Sequence, residues 1–146
     1  MPWIIYKTKS ALQIEIDSSR QTIFLTFARA KEGSKGLPQK GERRYEWENK
    51  IVIALSPEEA FDIALQAKDI LEGRKGQLEL YHRPPSDTSG EADKILSLRA
   101  GDGENAFISL AQGENKITVA LNRNDLFRLS TALPLLVAPL LLGTKE

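Results

Sequence analysis

Lys50-Ile51-Val52-Ile53-Ala54-Leu55-Ser56-Pro57-Glu58-Glu59-Ala60 changes its period in mid-course, and that change decides the fold. Up to Leu55 the run is short, apolar and β-branched, the composition of a buried strand. At Ser56 the chemistry becomes that of a helix start. Serine supplies an N-cap oxygen, Pro57 takes the first helical position, where no N–H is needed, and Glu58 and Glu59 face the positive end of the dipole. Glu59 follows Ser56 by three residues and completes a capping box. Ala60, Ile63, Ala64, Ala67, Ile70 and Leu71 then recur at helical spacing as far as Gly73, which predicts a helix over 57–72.

Upstream, Ala11-Leu12-Gln13-Ile14-Glu15-Ile16 alternates apolar and polar, and Thr22-Ile23-Phe24-Leu25-Thr26-Phe27 is rich in β-branched and aromatic residues. Asp17-Ser18-Ser19 between them has turn chemistry, so the pair reads as a hairpin. Arg44-Tyr45-Glu46-Trp47 and the run ending at Leu55 read as the third and fourth strands, while Trp3 reads as terminal packing. The glycine-rich, charged stretch 31–41 reads as a loop. Downstream the pattern returns. Gln77-Leu78-Glu79-Leu80-Tyr81-His82, Lys94-Ile95-Leu96-Ser97-Leu98-Arg99, Ala106-Phe107-Ile108-Ser109-Leu110 and Asn115-Lys116-Ile117-Thr118-Val119-Ala120-Leu121 are strand-like, with Gly101-Asp102-Gly103 and Gly113 marking reversals. Asn122 or Asn124 then caps a closing helix towards Leu142. The predicted order is ββββα-ββββα in a single domain over 1–146, the first unit covering about 3–73 and the second 76–143.

Composition narrows the chemistry. The chain has 146 residues, no cysteine and one histidine, His82, which leaves no disulfide, thiolate metal site or cysteine nucleophile, and no histidine to spare for a serine triad. His82 reads as a strand-end residue bonded to backbone. Asp102-Gly103 lacks the further oxygen ligands of a metal loop, and 33–41 lacks the Gly-Lys-Ser/Thr ending of a phosphate loop. Neither a catalytic group nor a metal or cofactor is expected. The start lacks a basic leader followed by an apolar stretch, and the apolar run 132–142 is shorter than the ~18 residues that cross a bilayer. A cytoplasmic protein without membrane contact is therefore expected. Charge is balanced, 20 Lys+Arg against 20 Asp+Glu, but residues 1–50 hold 10 basic and 6 acidic side chains while the remainder has the opposite excess.

Four stretches in order carry a family resemblance: Tyr6-Lys7-Thr8-Lys9-Ser10-Ala11-Leu12; Arg44-Tyr45-Glu46-Trp47-Glu48-Asn49-Lys50 with Ala54-Leu55-Ser56; Leu80-Tyr81-His82-Arg83-Pro84; and Asp102-Gly103 with Phe107, Asp125-Leu126-Phe127 and Pro139-Leu140-Leu141-Leu142-Gly143. Together they resemble the Whirly family of single-stranded DNA-binding proteins over 6–143. Thr8 and Ser10 replace a glycine and an alanine of the family's lysine-rich segment, and Arg83 stands where an acid is usual. The resemblance implies an α+β fold of two four-stranded antiparallel sheets packed crosswise with two helices. It also implies protomers joined by the helices into a cyclic tetramer, and single strands bound along exposed sheet edges between neighbouring protomers with little sequence preference. Because a transit extension is missing, it points to a compact prokaryotic or phage relative of the plant organellar members.

Sequence-independent binding of a single strand needs cations for phosphates and flat rings for unstacked bases. Lys7, Lys9, Arg29, Arg44 and Lys50 are the candidate phosphate contacts, and Tyr6, Phe27, Tyr45 and Trp47 the candidate stacking groups. Taken as one strand, Lys7-Thr8-Lys9 would put both ammonium groups on one face. Each choice has a plainer reading beside it: Trp47 and Phe27 as core, and Lys7 and Lys9 as edge lysines that discourage aggregation. Apolar residues surround the closing helix, so one protomer is not expected to cover them, and a homo-oligomer through that helix follows. The expected function is single-stranded DNA or RNA binding. The alternative is an oligomeric protein-interaction scaffold of the same fold.

Overall fold

The computed structural model describes residues 3–31, 44–83, 92–103 and 105–142, with side chains as far as Leu140. Its strands are β1 Trp3–Tyr6, β2 Ser10–Asp17, β3 Thr22–Arg29, β4 Ile51–Leu55, β5 Gln77–His82, β6 Lys94–Ala100, β7 Ala106–Gln112 and β8 Asn115–Leu121; its helices are α1 Pro57–Leu71 and α2 Arg123–Leu142. They form two four-stranded antiparallel sheets, ordered β1-β2-β3-β4 and β5-β6-β7-β8. The ββββα-ββββα order is as expected, but the strands of the first unit are not those read from the sequence.

Trp3–Tyr6 is a true edge strand rather than terminal packing, and Arg44–Trp47 is not a strand. Tyr45 makes only an isolated bridge to Ala30, and Trp47–Asn49 turns as a 3-10 helix in which Asn49 N–H donates to the Glu46 carbonyl and Lys50 N–H to that of Trp47. Those donors are used locally and cannot build a ladder. Lys7–Lys9 is likewise not a strand. Lys7 N–H closes the β1–β2 reversal on the Ser10 carbonyl at 2.9 Å, so the two-residue period does not apply to these lysines.

The sheets share one core. Paired rows such as Leu12, Phe27 and Ile51, or Ile14, Leu25 and Ile53, point inward from the first sheet and meet Leu96, Leu98, Ile108, Leu110 and Val119 of the second. A fully buried side chain of this size contributes roughly 1.5–3 kcal/mol. Both helices close that core. α1 buries Ala60, Ile63, Ala64, Ala67 and Ile70, and its predicted capping box is formed: Ser56 Oγ accepts from Glu59 N–H at 3.2 Å, and Glu59 Oε1 from Ser56 N–H at 3.0 Å. The other oxygen of Glu59 pairs with His82 Nε2 at 2.8 Å, so His82 joins the end of β5 to α1 instead of bonding to backbone.

α2 starts with a reciprocal cap. Asp125 N–H donates to Asn122 Oδ1, and Asn122 N–H to Asp125 Oδ2. Leu126, Leu129, Leu133, Val137 and Leu140 face the core, while Phe127, Leu135 and Leu136 on α2 and Leu65 on α1 are exposed, Leu135 at 77%. Among the described residues, no helix is long and apolar enough to cross a membrane.

Candidate nucleic-acid interface

Alternation along a strand divides the first sheet into two faces. With Ile23, Leu25 and Phe27 inward, Phe24, Thr26 and Ala28 point outward. Register then aligns the outer row Tyr6, Ala11 and Ala28, the row Ile4, Gln13, Thr26 and Val52, and the row Glu15, Phe24 and Ala54. The alanines leave room above the first row, and the Tyr45 ring fills it, packed on Ala11 and Ala28. Tyr45 is only 4% exposed. Its hydroxyl donates to the Lys7 carbonyl, and burial raises the phenol above the ordinary tyrosine range, with a weaker opposing pull from Arg44. It is a neutral donor throughout the physiological range.

Tyr45 is the middle rung of an aromatic ladder. The Tyr6 ring lies 5.6 Å from it, centroid to centroid, and the Trp47 ring 6.1 Å, both tilted against it. Tyr6 is 45% exposed. Tyr6 and Trp47 overlook an open depression of ≈ 410 Å³, whose walls include Gln13, Phe24, Thr26 and Lys50. One acidic residue, Glu15, shares it. The shape is a shallow platform with rings at one side and an ammonium group beside them, suited to an extended partner laid across it.

The expected contacts divide accordingly. Tyr6, Trp47 and Lys50 meet at the depression, and Lys9 is exposed on the adjoining β1–β2 reversal. Phe27 is corrected: it is fully buried at 0%, because it shares the inward phase of Ile23 and Leu25. Tyr45 is corrected from a stacking surface to a support beneath two such surfaces. Arg44 is also buried, at 9%, and is not an open phosphate contact. Lys7 points to α2, its Nζ lying 2.7 Å from Asp125 Oδ2. Arg29 is exposed, but its Nη2 donates to Asn115 Oδ1 at 2.5 Å and to the Lys116 carbonyl at 2.8 Å, tying β3 to β8. Phe24, Thr26 and Gln13 were overlooked, although the parity of β3 alone places Phe24 opposite Phe27. Most of the stretch 31–41, together with Arg43 and residues 84–91, lies outside the described residues.

Two antiparallel sheets around a common core, backed by a helix pair, with an open face bordered by Tyr6 and Trp47 on the first sheet, define an α+β double-sheet platform. A model of the Whirly transcription factor family matches residues 5–131. This chain belongs to that family. It is 33% identical over 143 residues to the mitochondrial single-stranded DNA-binding protein WHY2 of Arabidopsis thaliana, covering 86% of this chain and 52% of that protein; the chain thus spans about half the length of this curated relative. The structure of the plant transcriptional regulator PBF-2 matches with a TM-score of 0.65 at 26% identity, over 98% of this chain and 82% of the other. Arabidopsis thaliana WHY1 matches in fold, with a TM-score of 0.64 at 22% identity over 98% and 91% of the two chains.

Proposed function

We propose that this protein binds single-stranded nucleic acid, DNA in the first place, with little sequence preference and as a homo-oligomer. The observation that carries this reading is the Tyr6–Tyr45–Trp47 ladder beside Lys50 on an open sheet face. Unstacked bases find flat partners there at roughly 1–3 kcal/mol each, which does not depend on the net charge of the chain. Membership of the Whirly family and the single-stranded DNA binding for which the Arabidopsis relative is named support it. Tyr6, Trp47, Lys9 and Lys50 are the contacts proposed, with Lys7 and Arg29 shaping the platform from behind.

Fluorescence anisotropy with labelled oligothymidine and with a duplex of equal length tests the proposal. Preference for the single strand is expected, with log affinity falling by about 0.7 per phosphate contact for each tenfold rise in salt. Equal, weak binding to both forms refutes it. The internal engagement of Lys7 and Arg29 favours the second reading, an oligomeric protein-interaction scaffold, which that outcome would select.

The oligomer is proposed to be a tetramer joined through the helices, because Leu65, Phe127, Leu135 and Leu136 leave an apolar surface that a second copy would cover. Leu135→Glu combined with Leu136→Glu is expected to yield protomers in sedimentation at micromolar concentration, where the unaltered protein sediments as a tetramer. A single domain, a non-enzymatic role, a cytoplasmic location and a prokaryotic or phage origin complete the proposal.

A further inference from the structure

Charge is sorted along the open face of the first sheet. Lys50 stands one residue before Ile51, level with Ala28 and Ala11, at the same end as Tyr6. Glu15 stands further along β2, in the outward row it shares with Phe24 and Ala54. At about 3.3 Å per residue the two positions are roughly 13 Å apart, beyond the Debye length of about 10 Å at 0.1 M salt, so neither charge cancels the other. A polyanion meets a cation at one end of this face and a carboxylate at the other.

Glu15 is exposed and belongs to no ion pair among the described residues. Among those residues its side chain takes one long hydrogen bond, from Gln13 Nε2 to Oε1 at 3.5 Å, which leaves Oε2 open. Phe24 beside it is half-buried, and Ala54 on the other side of Phe24 is too small to cover the ring. Glu15 and Phe24 together wall both the ≈ 410 Å³ depression and a second open one of ≈ 370 Å³ towards the β2–β3 turn. Asp17, on the far rim of the second, is used by the turn itself: its Oδ1 accepts from Ser19 N–H, Ser19 Oγ–H and Arg20 N–H. An apolar ring and an open acceptor thus stand side by side between two hollows.

We propose that Glu15 reads a base: a base laid on Phe24 turns its Watson–Crick edge to the carboxylate, which selects guanine. This rests on the function proposed above. A carboxylate only accepts hydrogen bonds. Guanine offers it two adjacent donors, N1–H and the N2 amino group, which match its two oxygens. Cytosine and adenine each offer one amino group beside a ring-nitrogen acceptor, and thymine a single N–H between two carbonyls that repel the charge. Hydrogen bonds to an ionised acceptor are also the stronger ones. The same charge turns phosphates away from this end, so the base and not the backbone faces Glu15. Stacking at Tyr6 and Trp47 accepts any base, and the preference is confined to the position over Phe24.

The test titrates the full chain with labelled oligothymidine, with the same strand carrying deoxyguanosine at every third position, and with deoxyinosine there instead, which lacks the 2-amino group. The guanosine strand is expected to bind roughly fivefold tighter than oligothymidine, with the inosine strand between them. Glu15→Gln is expected to bring all three to within about twofold of one another, because an amide presents one acceptor and one donor where the carboxylate presents two acceptors. Thermal midpoints report that the variant is folded. If oligothymidine binds and guanosine brings no gain, or if Glu15→Gln leaves the gain unchanged, the reading role of Glu15 is refuted while the functional proposal stands. If none of the strands binds, both fall.

Discussion

Tyr6→Ala combined with Trp47→Ala is expected to weaken oligothymidine binding by about 2–6 kcal/mol, roughly 1.5 to 4 decades in Kd. These two rings flank Tyr45 and overlook the depression, so each is positioned to take one base. The upper part of that range applies if the two stacks add; the contact each ring makes with Tyr45 couples them and favours the lower part. Anisotropy titration at fixed salt measures the loss, and the salt slope separates stacking from charge: removing rings leaves the slope unchanged, whereas removing a phosphate contact lowers it. An unchanged Kd in a folded double variant would show that the platform does not receive bases.

Phe27→Ala is expected to destabilise the protein by about 3–5 kcal/mol, a large fraction of the 5–15 kcal/mol typical of a domain. Phe27 is fully enclosed, between Leu12 on one neighbouring strand and Ile51 on the other. Its truncation removes the ring's transfer free energy and leaves a cavity the close-packed sheets cannot collapse into. At about 2–4 °C per kcal/mol the melting temperature falls by roughly 6–20 °C, measurable by calorimetry. Phe24→Ala serves as the comparison. Phe24 lies on the same strand but on the open face, where its truncation leaves no enclosed cavity, so the smaller stability loss is expected there. Equal losses at both positions would contradict the division of the sheet into a sealed and an open face.

That division was partly legible. Ile23, Leu25 and Phe27 share one parity in an alternating strand, so Phe27 is committed to the core as soon as its neighbours are. Residue type alone marks Phe27 as a stacking ring, and its phase overrides that. The capping box at Ser56 and the helix that follows were readable because every contact involved spans only a few residues. The same holds for the tight reversal at Gly101-Asp102-Gly103, where Gly103 adopts a positive φ of 64°, whereas the cap of α2 was readable only as Asn122 or Asn124, and its pairing with Asp125 selects Asn122.

Other features have no local signature. Tyr45 is aromatic, flanked by charge and near a tryptophan, which describes an exposed stacking group as well as a buried one. Only the pairing of Ala11 with Ala28 on strands distant in sequence opens the space that buries it. Lys7 is equally ambiguous until α2 brings Asp125 within 2.7 Å, and Arg29 until β8 crosses the end of β3. A charged side chain's availability is set by what the remote chain places beside it, and composition does not report that.

Alternation of strands, capping chemistry and helical spacing, all properties of a few consecutive residues, determined the four strands of the second unit and the positions of both helices, whereas pairing decided that Trp3–Tyr6 and not Arg44–Trp47 completes the first sheet. Which rings are open and which sealed, and which cations face solvent and which are held internally, were decided by tertiary pairing alone. The physical reason is that burial and ion pairing depend on distance in space, and the partners that settle them here lie as far apart in the chain as Lys7 and Asp125.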